Sequence, residues 1–128
     1  MPKIKIDNAD KYFSQWVRLR DGECKRCGSK VKFNDKGLPI SHEVSHFMGR
    51  RKENTRFMAE NCDTLCTGCH FYFTAHPAEH YDWQVKTKGQ ETVDKIRLAS
   101  NMYCKKDRKG QALLWKQELT KLQSLDKV

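Results

Sequence analysis

The sequence predicts an α+β domain in which a short β-rich centre is clamped between two cysteine pairs and flanked by helices. Two Cys-x-x-Cys pairs, Cys24/Cys27 and Cys66/Cys69, bracket residues 28–65. Apolar residues recur at helical spacing before and after that bracket, and they alternate inside it. The stretch 42–70, HEVSHFMGRRKENTRFMAENCDTLCTGCH, concentrates histidines, arginines and the second cysteine pair.

Residues 1–7 read as extended or frayed. Asp7 or Asn8 can cap a helix running to about Arg20, with Tyr12, Phe13, Trp16 and Val17 as its buried stripe and Asp21-Gly22 as its stop. Cys24 to Gly28 forms a tight turn presenting two thiols. Val31 and Phe33 alternate before the turn-forming Asn34-Asp-Lys-Gly37, which predicts a short strand and turn over 31–40. Residues 40–47 are the next strand, with Ile40, His42, Val44 and His46 on one face if it is regular. Residues 50–55 form a charged loop, and residues 61–65 connect to the second cysteine pair. Helices follow over 67–76, stopped by Pro77, over 78–88, ended by Gly89, and over 90–103, with Val93, Ile96, Ala99 and Met102 along one side. A basic linker, 105–110, leads to an amphipathic helix over 111–125 carrying Leu114, Trp115, Leu119, Leu122 and Leu125. No internal repeat or low-complexity segment is visible.

At 128 residues the chain has the length of one domain. Charged residues make up 32% and hydrophobic residues 38%, so its core is small and a metal staple would add stability. The formal charge of +9 and pI near 9.3 point to a polyanionic partner. No run of about 18 apolar residues is present, which excludes a membrane span, and the N-terminal residues carry no apolar core of a secretory signal. The cysteines are therefore expected in a reducing compartment, where Cys-x-x-Cys pairs bind metal more often than they form disulfides.

Cys24, Cys27, Cys66 and Cys69 offer four thiolates, the donor set of a closed, structural Zn²⁺ site; disulfides are the alternative. Cys62 and Cys104 are left over as buried free thiols. The interval between the pairs leaves room for a functional insert. Metal-assisted phosphodiester cleavage needs a base, a Lewis acid and cations for the phosphate, and residues 42–70 hold a candidate for each. His46 can be the base, since imidazole titrates near neutral pH. His70, directly after the second knuckle, is a metal-ligand candidate, and Glu43 can bring a carboxylate to the same ion. Arg50, Arg51 and Arg56 can contact phosphates. The bland alternatives are a surface or core histidine and a solvated basic loop. His42 either shares the face of His46 or packs in the strand; His76 and His80 have no role readable from spacing.

The order Cys-x-x-Cys, His46, Asn61, Cys-x-x-Cys-His70 resembles the HNH (His-Me finger, ββα-metal) nucleases. Over roughly residues 10–100 the chain is further similar to the phage NinG/Rap recombination family. That similarity is carried by Phe13-Ser14, Trp16-Val17-Arg18, Ser45-His46-Phe47, Arg50, Arg56-Phe57, Glu60-Asn61, Cys66-x-x-Cys69 and Tyr81-Asp-Trp-Gln-Val with Gly89. The resemblance implies a zinc-stapled ββα-metal core with an N-terminal helix over residues 1–104, followed by the linker and helix of 105–128. It implies His46 as general base, His70 on a catalytic Mg²⁺ or Mn²⁺, and Asn61 holding the loop that positions the base. Ser45 stands where many HNH enzymes place Asp or His as a metal ligand, and Glu43 offers a carboxylate instead. NinG-like proteins often carry Asn where His70 stands.

The expected function is thus metal-dependent DNA cleavage in phage recombination, in the bacterial host cytoplasm, on branched DNA such as Holliday junctions. The alternatives are a restriction-like HNH nuclease without branch preference, acting on duplex, and a noncatalytic zinc-containing DNA-binding module. The last helix packs on its own domain or pairs two copies as a homodimer.

Overall fold

The computed structural model describes residues 4–126; residues 1–3, part of the expected extended N-terminal segment, and residues 127–128 lie outside the described residues. The architecture is α+β and mostly helical. Helix α1, Asn8–Asp21, starts where the sequence indicates, because Asp7 accepts from the Asp10 amide and Asp10 accepts back from the Asp7 amide. It ends at Gly22, whose left-handed φ of 68° only glycine adopts freely and whose N–H donates to Arg18 O. Ala9, Phe13 and Val17 are buried along it, with Tyr12 and Trp16 packed at the edge.

The expected strand over 31–40 is reduced to isolated bridges, Glu23 with Lys30 and Phe33 with Pro39. Asn34 Oδ1 gathers the amides of Lys36 and Leu38 into a tight turn, leaving too few residues on either side for a ladder. The next strand is also shorter than expected: β1 is Glu43–His46. His42 breaks it with φ of 69°, and its ring turns back to Ser41 and Ser29 instead of joining a common face with His46. Ile40 is exposed, so the four-residue face expected over 40–46 reduces to Val44 and His46.

Strand β2, Cys62–Leu65, pairs antiparallel with β1 in the register Glu43 to Leu65 and His46 to Cys62. The sequence predicts only a connection over 61–65. All four residues of β2 are buried, so the period-two pattern that marks a half-exposed strand is absent. Between the strands lie one helical turn, α2 (Glu53–Arg56), and a 3-10 turn, Ala59–Asn61. Helix α3, Thr67–Ala75, follows β2 directly; Pro77 opens α4, Pro77–Lys88, at the position where its missing N–H costs nothing. Helix α5, Gln90–Ser100, is shorter than expected and leaves Met102 exposed.

Helix α6, Arg108–Asp126, begins inside the expected linker, with Asp107 accepting from the Gly110 amide. It packs along α1: the Trp115 ring meets Phe13 at 4.7 Å and Trp16 at 5.0 Å. Leu114 and Leu125 remain exposed. One core cluster joins α1, β1, Phe57, Cys62 and Trp115; a second gathers Cys24, Leu65, Cys69 and Phe73. Among the described residues no helix is long and apolar enough to cross a membrane.

A buried ion pair ties α1 to α2. Arg56 donates to both carboxylate oxygens of Asp10, at 2.8 and 2.7 Å, and also to Lys5 O. Burial pushes the Asp10 carboxyl up, but the Arg56 hydrogen bonds and charge outweigh it and hold the group below its ordinary value. Asp10→Asn leaves the buried guanidinium uncompensated and is expected to lower the unfolding free energy by about 3 kcal/mol in urea titration at pH 7. A loss below about 1 kcal/mol would mean that the pair is not a structural tie.

Candidate active site

The four paired cysteines converge. Their Sγ atoms all lie within 4.8 Å of one another, and those of Cys27 and Cys66 are 3.7 Å apart. Four sulfurs bound to one tetrahedral Zn²⁺ at about 2.3 Å stand roughly 3.8 Å apart, so the cluster can hold such an ion. A disulfide needs roughly 2.05 Å, and all six cysteines are free thiols. The two knuckles repeat one geometry: the Cys27 amide donates to Cys24 Sγ and the Cys69 amide to Cys66 Sγ, each at 3.4 Å. These contacts favour sulfur carrying negative charge. Hydrogen bonds with Ser29, and then with Cys24, push the Cys27 thiol down to about 6, whereas desolvation pushes Cys69 up to about 12. Arg26, stacked 4.3 Å over the Tyr72 ring, reaches Cys69 Sγ at 3.5 Å.

The second knuckle fixes the start of α3. Cys66 is its N-cap, and the His70 amide donates to Cys66 O. His70 therefore stands one turn into the helix, facing β1, and its Nδ1 lies 2.6 Å from Glu43 Oε1. Thr67 donates to the other carboxylate oxygen at 3.2 Å. Cis ligands on a Mg²⁺-sized ion stand roughly 3 Å apart, so a few tenths of an ångström of opening lets this pair take two positions of an octahedral shell, with water in others. Ser45, on the same pleat face as Glu43, is buried.

His46 lies on the alternate face of β1, with Val44, its ring 6.2 Å from that of Phe13. Its Nε2–H donates to Arg56 O at 3.0 Å, which leaves Nδ1 as the free lone pair of the neutral ring. Burial, and then the Arg50 charge, push its pKa down to about 4. Asn61, fully buried, clamps the chain that follows: its Oδ1 accepts from the Met48 amide, and its Nδ2 donates to Met48 O and Thr55 O. The strand end carrying His46 is thereby fixed from both sides. The geometry unites Glu43 with His70 and His46 with Asn61, Arg50 and Arg56, on opposite faces of one strand.

The arginines separate. Arg56, expected on the phosphate-contacting surface, is buried against Asp10, because that acid meets it from across 46 positions of sequence. Arg50 and Arg51 line a cleft of about 470 Å³ with Lys5, Lys106 and Arg108; Arg56, whose carbonyl accepts from His46, lines it too. Lys5 carries no signal in the sequence, and for Lys106 and Arg108 the signal is the basic run over 105–110 that contains both. Arg108 is held by Glu53 at 2.7 and 2.8 Å and by Asp7 at 2.7 Å. His80 stacks on Phe73 at 4.6 Å and bonds the buried Gln84, which also reaches Asp63; His76 donates to Tyr72 O. Both serve packing of α3 and α4.

Comparison with family models, with curated proteins and with solved structures returns no match.

The histidines give the fold a pH dependence of known sign. His46, with a folded pKa of about 4 against an ordinary 6.5, and His80, also lowered by burial, stay neutral while the unfolded chain gains protons. The His46 contribution, about 3 kcal/mol, is complete above pH 6.5 and is lost as pH falls toward 4; that of His80 is lost in the same direction. Urea titrations between pH 7 and 4.5 should show wild type losing stability more steeply than His46→Gln. Parallel curves would contradict the assignment.

Proposed function

We propose that this chain is a metal-dependent DNA endonuclease of the HNH type, acting in phage recombination on branched DNA such as Holliday junctions. The observation that carries the reading is the Glu43–His70 contact at 2.6 Å, formed between strand β1 and helix α3, which Cys66 of the cysteine cluster caps. Supporting it are a neutral His46 with one bare ring nitrogen, a buried Asn61 that fixes the His46 strand end, and an adjoining basic cleft.

In this reading Glu43 and His70 hold a Mg²⁺ or Mn²⁺ ion, with Thr67 orienting the carboxylate. The ion supplies Lewis-acid stabilisation of the leaving oxygen. His46 takes the proton of the attacking water at Nδ1, while its Nε2–H bond to Arg56 O keeps the tautomer and the ring orientation. Asn61 holds the 48–55 loop, and Arg50 and Arg51 offset phosphate charge along the cleft. The four-cysteine site contributes no step; its zinc is structural.

One observation favours a second reading. His46 and the Glu43–His70 pair occupy alternate faces of β1, and a ring titrating near 4 is a weak base. A noncatalytic zinc-containing DNA-binding module would have no need to join them. Labelled four-way junctions and matched linear duplexes, incubated with Mg²⁺, Mn²⁺ or neither, separate the readings. The nuclease reading expects metal-dependent nicking of the junction, with His46→Ala slowing it about 10²–10⁴-fold while DNA affinity persists. Binding without cutting under both metals would favour the noncatalytic module. Equal cutting of duplex and junction would remove the branch preference.

A further inference from the structure

We propose that the basic cleft seats the backbone of an unpaired DNA strand, and that Tyr103 stacks on one of its bases. This rests on the reading above in taking DNA as the polyanion, but it does not depend on cleavage. The cleft is built from three segments distant in sequence, and its lining carries six basic side chains against two acidic ones. Arg56 pairs with Asp10 and Arg108 with both Asp7 and Glu53, so these two arginines leave one carboxylate charge over. Lys5, Arg50 and Lys106 remain to set the sign of the potential. The Nε–H of Arg50 is buried without a hydrogen-bond partner. The Arg50 side chain lines the cleft, where a phosphate oxygen can meet its charge. The volume of about 470 Å³ is that of a pocket enclosing one small ligand, here about one nucleotide of a single strand.

Tyr103 belongs to a strap between α5 and α6 whose two feet both rest on α2. Asn54 donates to Ala99 O at 2.8 Å at one end, and Glu53 grips Arg108 at the other. Tyr103 therefore stays within roughly 14 Å of the first foot and 18 Å of the second, and three residues, at most roughly 11 Å, from Lys106, which lines the cleft. Tyr103 is 91% exposed, with Met102 beside it at 58% and Leu98, near the end of α5, at 68%. An aromatic ring offered to solvent next to cations that follow a backbone is the arrangement that binds unpaired strands: bases stack on it, and cations meet phosphates. A paired base has no free face to give. The same arrangement supplies a physical basis for preferring branched over linear DNA, since branches expose unstacked bases.

Fluorescence anisotropy tests this without added Mg²⁺ or Mn²⁺, using a labelled 12-nucleotide DNA strand, its duplex and the RNA of the same sequence. A 2-aminopurine probe in the strand reports stacking. We expect the single strand to bind more tightly than the duplex. Tyr103→Ala should cut that preference roughly tenfold and abolish 2-aminopurine quenching, while Tyr103→Phe restores both. Lys5→Ala and Lys106→Ala should each lower the salt-dependence slope by roughly 0.7 and leave quenching in place. Duplex bound as tightly as single strand, Tyr103→Ala indistinguishable from wild type, or RNA preferred over DNA would each overturn the proposal. Tyr103-dependent binding without cleavage of any substrate would support it while removing the nuclease reading. Junction cleavage insensitive to Tyr103 would do the reverse.

Discussion

The convergence of four cysteine sulfurs is the constraint on which the rest of this structure depends. Charged residues nearly equal hydrophobic ones in number, and the second of two small cores consists of Cys24, Leu65, Cys69 and Phe73. Two of those four are sulfur donors, so the cluster is part of the core. The first knuckle also grips the sheet directly, through the Lys25 amide to Thr64 O. The second knuckle sets both the end of β2 and the first turn of α3. With β1 paired to β2, the position of Glu43 relative to His70 follows from the cluster. A metal ion such as zinc there would contribute folding free energy outright, as it does in small domains whose apolar core alone is insufficient.

From that frame the two halves of the candidate site inherit different environments. Glu43 and His70 are partly exposed, able to exchange their mutual hydrogen bond for an ion. His46 is turned toward Phe13 and kept neutral by burial and by Arg50. The ion pair of Arg56 with Asp10 and the grip of Glu53 and Asp7 on Arg108 hold α1, α2 and α6 together around the basic cleft. Charge that reads as a phosphate-binding surface in sequence is thus divided between structural ties and residues that still present a positive potential.

Much of the fold was legible because local chemistry decided it. The Asp7 cap, the Gly22 stop, the Pro77 break and the apolar stripe of α1 each depend on residues close in sequence. The paired cysteines and the role of Asn61 as a loop clamp were legible as motif. What stayed hidden depended on distant partners. Strand β2 is buried on both faces and shows no alternation. Arg56 looked like a surface arginine until Asp10 was brought against it. His42 looked like a strand residue, but its backbone is left-handed and its ring is drawn to Ser29 and Ser41. Residues 105–110 read as a linker because their charge hides the cap: Asp107 accepts from the Gly110 amide and starts α6 inside the basic run. The cleft could not be read at all, since residues near 5, 50 and 106 meet only in the folded chain.

The most direct test of this account is the X-ray absorption spectrum at the zinc edge of protein purified under reducing conditions without added metal. A zinc held by the four cysteines gives one zinc per chain, surrounded by four sulfurs at about 2.3 Å. A zinc shell containing nitrogen, or folded protein carrying no zinc, would contradict it.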